Sequence, residues 1–150
     1  MKTGYMLDAN VLVYAYDRSE MEKKLRARSI LDFLQSNGLG YLSTQVLGEF
    51  FWVVTRKLHP PLLPSVAYGE LEKHSRAWPV LPVDSLIVLE AARGSATHRV
   101  PYWDAQIWAT ARMNQIPVVL SEDFSHGRAL RVCCFIIHLS SEFRERSEPC

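Results

Sequence analysis

Short apolar runs alternate with longer amphipathic stretches along this chain, a pattern that predicts short buried strands interleaved with helices. Residues 4–7 read as a buried strand and residues 10–16 as one or two helical turns. Ser19 with Glu22 three positions on predicts a capping box, opening a helix whose Leu25, Ile30, Leu31 and Leu34 bury one side and which Asn37-Gly38 stops. Tyr41-Leu42 is a second strand, Ser43 or Thr44 a helix cap, and Leu47, Phe50, Phe51, Val54 and Leu58 an apolar stripe at helical spacing that ends at His59-Pro60-Pro61. Residues 64–76 predict a further helix. Residues 78–83 predict a third strand, which its prolines place near a sheet edge or a strand terminus. Asp84 is the expected cap of a helix carrying Leu86 and Leu89 and ending at Gly94; another helix spans 102–114. Residues 117–120 give a fourth strand and 130–139 contain a fifth.

Strands this short and apolar, separated by helices, imply an α/β fold: three layers, α/β/α, around a parallel sheet of about five strands covered on both faces. With 150 residues, 48% hydrophobic and 22% charged, one core suffices, and the sequence predicts one domain over 1–139 with a charged, frayed tail over 140–150. No repeat or linker divides it. The first apolar run is too short for a signal peptide and no stretch is long enough to span a bilayer, so a soluble cytoplasmic protein with no membrane contact is expected. Three cysteines, vicinal Cys133 and Cys134 on the last strand and Cys150 in the tail, match neither a disulfide framework nor a zinc spacing.

Four acids stand beside apolar segments of that one core: Asp8, Glu49, Asp104 and Asp123. A carboxylate at a core margin is costly to desolvate, and four converging ones call for a divalent cation. Asp8 and Asp123 follow predicted strand ends, where ligands collect in parallel sheets. Asp104 opens a helix whose Ile107, Trp108 and Ala111 share its face, and Glu49 lies on the margin of an apolar arc. Each has a structural reading of equal or greater weight when taken singly: Asp8 as a helix cap, Asp104 as a residue favoured by the helix dipole, Glu49 as a surface residue, Asp123 as a turn residue. Either Glu122 or Asp123 could face a site at that turn, and we take Asp123. The set carries the functional reading.

These residues stand in segments that resemble a known family. Met6-Leu7-Asp8-Ala9-Asn10-Val11-Leu12-Val13-Tyr14-Ala15 looks like the opening motif of PIN-domain nucleases. Glu49-Phe50, Tyr102-Trp103-Asp104-Ala105 and Ser121-Glu122-Asp123-Phe124 resemble its remaining acidic motifs in the right order. The resemblance covers nearly the whole chain, and a short free-standing PIN domain is similar to the VapC toxins of toxin-antitoxin pairs. It implies that Asp8, Glu49, Asp104 and Asp123 hold Mg²⁺ or Mn²⁺, that Asn10 steadies Asp8 or its loop, and that the Ser121 hydroxyl orients a water or a neighbouring carboxylate. It also implies cleavage of RNA to a 5′-phosphate and a 3′-hydroxyl, an antitoxin partner and a homodimer.

An all-oxygen ligand set selects such hard cations, which can activate water and neutralise charge on a phosphodiester without any catalytic histidine. The five histidines are scattered without ligand spacing, and Trp52, Trp103 and Trp108 read first as core or contact residues, with Trp103 alone near enough to the acids to suggest substrate contact. The formal charge of +1 lacks the basic excess usual for nucleic-acid binding. Lys23, Lys24, Arg26 and Arg28, Arg56 and Lys57, and Arg99, Arg112 and Arg128 are the cations available to a polyanion, each individually a solvated helix-face residue by default. A PIN-like module that binds RNA or protein without cutting is the alternative. An aspartyl-phosphate phosphatase is disfavoured, because Asn10 stands where a second Asp is needed.

Overall fold

In the computed structural model, which describes residues 4–121 and the backbone of 135–137, five parallel strands form one sheet. They are β1 (Tyr5–Leu7), β2 (Gly40–Ser43), β3 (Val80–Leu81), β4 (Val118–Leu120) and β5 (Phe135–Ile137), in the order β3-β2-β1-β4-β5. The α/β class, the parallel sheet and the edge position of the proline-flanked third strand are as the pattern predicts. The cysteines, Asp123 and the tail lie outside the described residues.

Six helices join the strands: α1 (Ala9–Tyr14), α2 (Met21–Ser36), α3 (Thr44–Arg56), α4 (Pro64–Ala77), α5 (Ser85–His98) and α6 (Tyr102–Met113). Register pairs Met6 with Tyr41 on one side and with Val119 on the other. The chain winds outward from β1 through β2 to β3, then returns to place β4 on the opposite side of β1. The winding therefore reverses between β1 and β4, and a crevice opens at the carboxyl ends of those two strands.

Helix α3 is capped as expected, with the Ser43 hydroxyl accepting from the Val46 N–H at 3.2 Å, but its buried stripe is Val46, Phe50 and Val54, one turn apart, while Leu47 and Phe51 of the expected stripe are half-buried. Gly38, at φ 63, takes the left-handed turn that releases α2. Asp84 caps α5 by accepting from the Ile87 N–H at 2.9 Å.

Other details depart from the sequence expectation. Ser19 bonds Asp17 rather than capping α2, whose cap position is Glu20 with no side-chain bond, and Leu25 faces solvent while Ala27 joins Ile30, Leu31 and Leu34 inside. Helix α5 likewise turns Leu86 and Leu89 outward and buries Ile87, Ala91 and Gly94. Gly94 does not end this helix. It is the notch into which Trp108 fits: a Cβ built there would lie 2.4 Å from the indole. Small residues let α5 and α6 approach closely, and α6 is buried continuously from Ala105 to Ala111.

A half-buried polar cluster fastens α4 to the turn after α1. The Tyr16 hydroxyl donates to Glu70 Oε2 at 2.8 Å and lies 2.9 Å from His74 Nε2, whose ring packs edge-on against Phe50. With its single proton given to Glu70, the Tyr16 oxygen can accept only from a protonated His74 Nε2. Burial is the main cause of a depressed His74 pKa, outweighing the attraction of Glu70, while Lys73 lowers it further. The native state thus holds His74 neutral and the unfolded chain binds a proton first as pH falls. Stability from this site is present above the unfolded value of about 6.5 and is lost as pH drops below it. We expect the melting temperature to fall on acidification from about pH 6.5, and the fall to be shallower in His74→Gln, which keeps a donor without the titration. Equal pH slopes in the two proteins contradict this assignment.

Candidate active site

The sheet's C-terminal edge carries the first cluster. Asp8 directly follows Leu7 and its N–H donates to the Leu120 carbonyl at 2.9 Å, continuing the β1–β4 pairing past the last strand residues. Its side chain caps α1, Oδ1 accepting from the Ala9 N–H at 2.6 Å, while Oδ2 accepts from the Ser121 hydroxyl at 2.5 Å. Only 5% of Asp8 is exposed, and Ser121 is fully buried. Asn10 Nδ2 donates to Ser121 Oγ at 3.3 Å. The three side chains form a linked set at the point where the winding reverses.

Burying a carboxylate carries a desolvation cost, which a nearby positive charge offsets. Asn10 Oδ1 is buried without a hydrogen-bond partner, a second oxygen acceptor left over in the same cluster. These hard oxygens fit Mg²⁺ or Mn²⁺ in chemical type. Among the described residues, however, no three Asp, Glu, His or Cys side chains are drawn together as a metal-binding group. The fourth acid, Asp123, lies just past Ser121 and outside the described residues.

A second cluster joins the first turns of α3 and α6. Gln45 Nε2 donates to Glu49 Oε1 at 2.8 Å and to the Trp103 carbonyl at 3.1 Å, so one amide spans the helix bearing Glu49 and the residue before Asp104. Gln106 Nε2 donates to Gln45 Oε1, and the Tyr102 hydroxyl donates to Gln106 Oε1, each at 2.8 Å. The donors run in one direction from Tyr102 to Glu49 and end on an acceptor, which is the arrangement that suits an ionised carboxylate.

Topology puts both clusters at one edge. Helix α3 leaves the carboxyl end of β2, and α6 returns the chain to the start of β4, so the amino ends of both helices lie on the carboxyl side of the sheet. Asp104 is in the first turn of α6, where the helix dipole favours negative charge, and it is half-buried like Glu49. An open groove of about 670 Å³ runs here, lined by residues that include Gln45, Gly48, Glu49, Trp52, Trp103 and Gln106. Trp108 is a core residue as expected, but Trp52 and Trp103 are 47% and 62% exposed on the groove wall, not packed inside.

Sequence reasoning missed Gln45 and Gln106. A signal was present in their spacing, since Gln45 precedes Glu49 by one helical turn and Gln106 follows Tyr102 by one.

Comparison with known proteins bears on this arrangement. The PIN domain family model matches residues 5–129. No curated protein matches the chain. Among solved structures, a chain of the DNA-bound VapBC complex from Salmonella typhimurium is similar with a TM-score of 0.65 and 18% identity, over 92% of this chain and 99% of that one. VapC20 of Mycobacterium tuberculosis, described as a sarcin-ricin loop cleaving toxin, is similar with a TM-score of 0.62 and 17% identity, over 77% of this chain and 87% of that one. A chain of FitAB bound to a DNA fragment has a TM-score of 0.60 and 23% identity, over 79% and 85% respectively. At these identities the structures establish a shared fold, and the family match covers all but the ends of the chain: it belongs to the PIN-domain family, with a VapC-like fold.

Proposed function

We propose that this chain is a metal-dependent endoribonuclease and the toxin of a toxin-antitoxin pair. The observation that carries the reading is Asp8, a carboxylate buried at the reversal point of the sheet and held on both oxygens. In this reading Asp8, Glu49, Asp104 and Asp123 hold Mg²⁺ or Mn²⁺. A bound divalent ion of this kind supplies charge neutralisation for the phosphoryl oxygens and lowers the pKa of water.

The chain's own residues prepare that site. Ala9 N–H and the Ser121 hydroxyl fix the rotamer of Asp8, Asn10 fixes Ser121, and Gln45 aims Glu49 while tying its helix to the residue before Asp104. The products expected are a 5′-phosphate and a 3′-hydroxyl. An antitoxin partner follows by analogy with the VapBC and FitAB complexes, and homodimerisation and a cytoplasmic location complete the proposal. Among the described residues no helix is long and apolar enough to cross a membrane.

Ser121→Ala removes the hydroxyl on Asp8 but no proposed ligand, and we expect roughly 10- to 100-fold slower cleavage. Ser121→Thr, which keeps the hydroxyl, should restore most of it. End-group analysis of a labelled single-stranded RNA tests the function itself. Products that a ligase can rejoin through a 5′-phosphate support it, whereas 2′,3′-cyclic phosphate ends sink it. The other reading is a PIN-like module that binds RNA or protein without cutting. Retained RNA affinity with no cleavage in either metal would select it.

A further inference from the structure

Both exposed tryptophans of the described residues stand on one groove, and helix α3 presents a stripe into it: Gln45, Gly48 and Glu49, then Trp52 one turn further on. Trp103 faces the same groove from α6, its ring held edge-on by Tyr102 at a centroid distance of 5.0 Å. Two cations stand over the Trp52 ring, the Arg56 guanidinium at 5.5 Å and the Lys57 ammonium at 5.0 Å from the indole centre. Neither makes an ion pair among the described residues. An aromatic ring with positive charge held against it complements a base and the phosphate next to it.

Gly48 is the independent sign of close approach. Glycine inside a helix is destabilising relative to alanine, and a Cβ built at Gly48 meets nothing within 4 Å. Packing therefore does not require glycine here. Its effect is to leave helix backbone bare on the groove between Gln45 and Trp52, the kind of opening that admits a flat ligand.

We infer that this groove is a subsite for an unstacked nucleobase of single-stranded RNA, with Trp52 and Trp103 supplying the stacking faces and Arg56 and Lys57 meeting the adjoining phosphate. The inference rests on the proposed nuclease reading for its choice of polyanion, but it concerns binding and has its own measurement. A base held on this wall lies beside Glu49, so the subsite selects single strands over duplexes, whose bases are not available to stack.

The test is binding of a fluorescein-labelled twelve-nucleotide single-stranded RNA in EDTA and again in Ca²⁺, beside the matched duplex and an abasic strand of equal charge. Wild-type protein should prefer the single strand to both. Trp52→Ala and Trp103→Ala should each weaken single-strand binding by roughly 10-fold without altering abasic-strand binding. Gly48→Leu should weaken it too while leaving the melting temperature unchanged or raised. Unchanged single-strand affinity in the tryptophan variants, or equal wild-type affinity for the abasic strand, overturns the subsite. Loss of a dimer in those variants by sedimentation also overturns it, because the groove is then a contact between copies. Cleavage of RNA in Mn²⁺, run in parallel, separates the two ideas: cutting with tryptophan-independent binding removes the subsite alone, and stacking without cutting removes the nuclease alone.

Discussion

Asp8→Asn is expected to reduce RNA cleavage by about 1,000-fold or more, since a carboxylate that holds a catalytic cation contributes several kcal/mol to the transition state. The same variant should fold. The asparagine oxygen can still accept from the Ala9 N–H, and the Ser121 hydroxyl can turn to accept from the new amide, so these two bonds are replaced rather than lost. Stability should change by no more than about 1 kcal/mol. Asp8→Ala is the contrasting variant: it deletes a helix cap and removes the carboxylate that accepts from the buried Ser121 hydroxyl, at a cost of about 1–3 kcal/mol. Measured together by activity and thermal unfolding, the pair separates the charge of Asp8 from its role as a cap. Full activity in the folded Asn variant would show that Asp8 is a cap and nothing more.

The second large effect concerns the helix that carries Asp104. Trp108 is one turn beyond Asp104, 1% exposed, and lodged against Gly94 of α5 with the Arg112 guanidinium 5.4 Å from its ring centre. Trp108→Ala leaves a cavity between α5 and α6 and should cost about 3–5 kcal/mol. Gly94→Ala attacks the same contact from the other side by overpacking and should cost about 1–3 kcal/mol. Because both act on one contact, the double variant should be less destabilised than the sum of the two singles, the new methyl group partly filling the space the indole leaves. Chemical denaturation of the four proteins measures this. Strict additivity would mean that Gly94 and Trp108 do not share the contact described.

Much of this architecture is legible in the sequence because local chemistry and global fold agree there. Ser43 and Asp84 are good caps followed by apolar periodicity, Asn37-Gly38 is a good stop, and the short apolar runs have no other home than a covered parallel sheet. The misreadings arise where a residue type has two uses. Gly94 looks like a helix terminator but serves as a packing notch, which depends on Trp108 fourteen residues away. Leu86 and Leu89 look like core, yet the small face of Ala91 and Gly94 is the one that lets α6 come close. Ser19 satisfies a capping-box spacing, but Asp17 competes successfully for its hydroxyl.

The candidate site divides in the same way. Asp8, Asn10 and Ser121 could be named from motif and strand position, and the hydrogen bonds join them as a cluster. Gln45 and Gln106 could not, because their importance lies in a bond between two helices separated by sixty residues of chain. The tryptophans were indistinguishable by composition, and only burial separates Trp108 in the core from Trp52 and Trp103 on the groove.

The most direct test of the central claim is incubation of total RNA with the purified protein in Mg²⁺ and in Mn²⁺, beside the same reactions in EDTA and with Asp104→Asn. The account predicts cleavage by the wild-type protein that disappears in both controls, with Asp104→Asn melting as the wild type does. Cleavage that persists in EDTA, or in a folded Asp104→Asn protein, would contradict a metal-dependent site built on these acids.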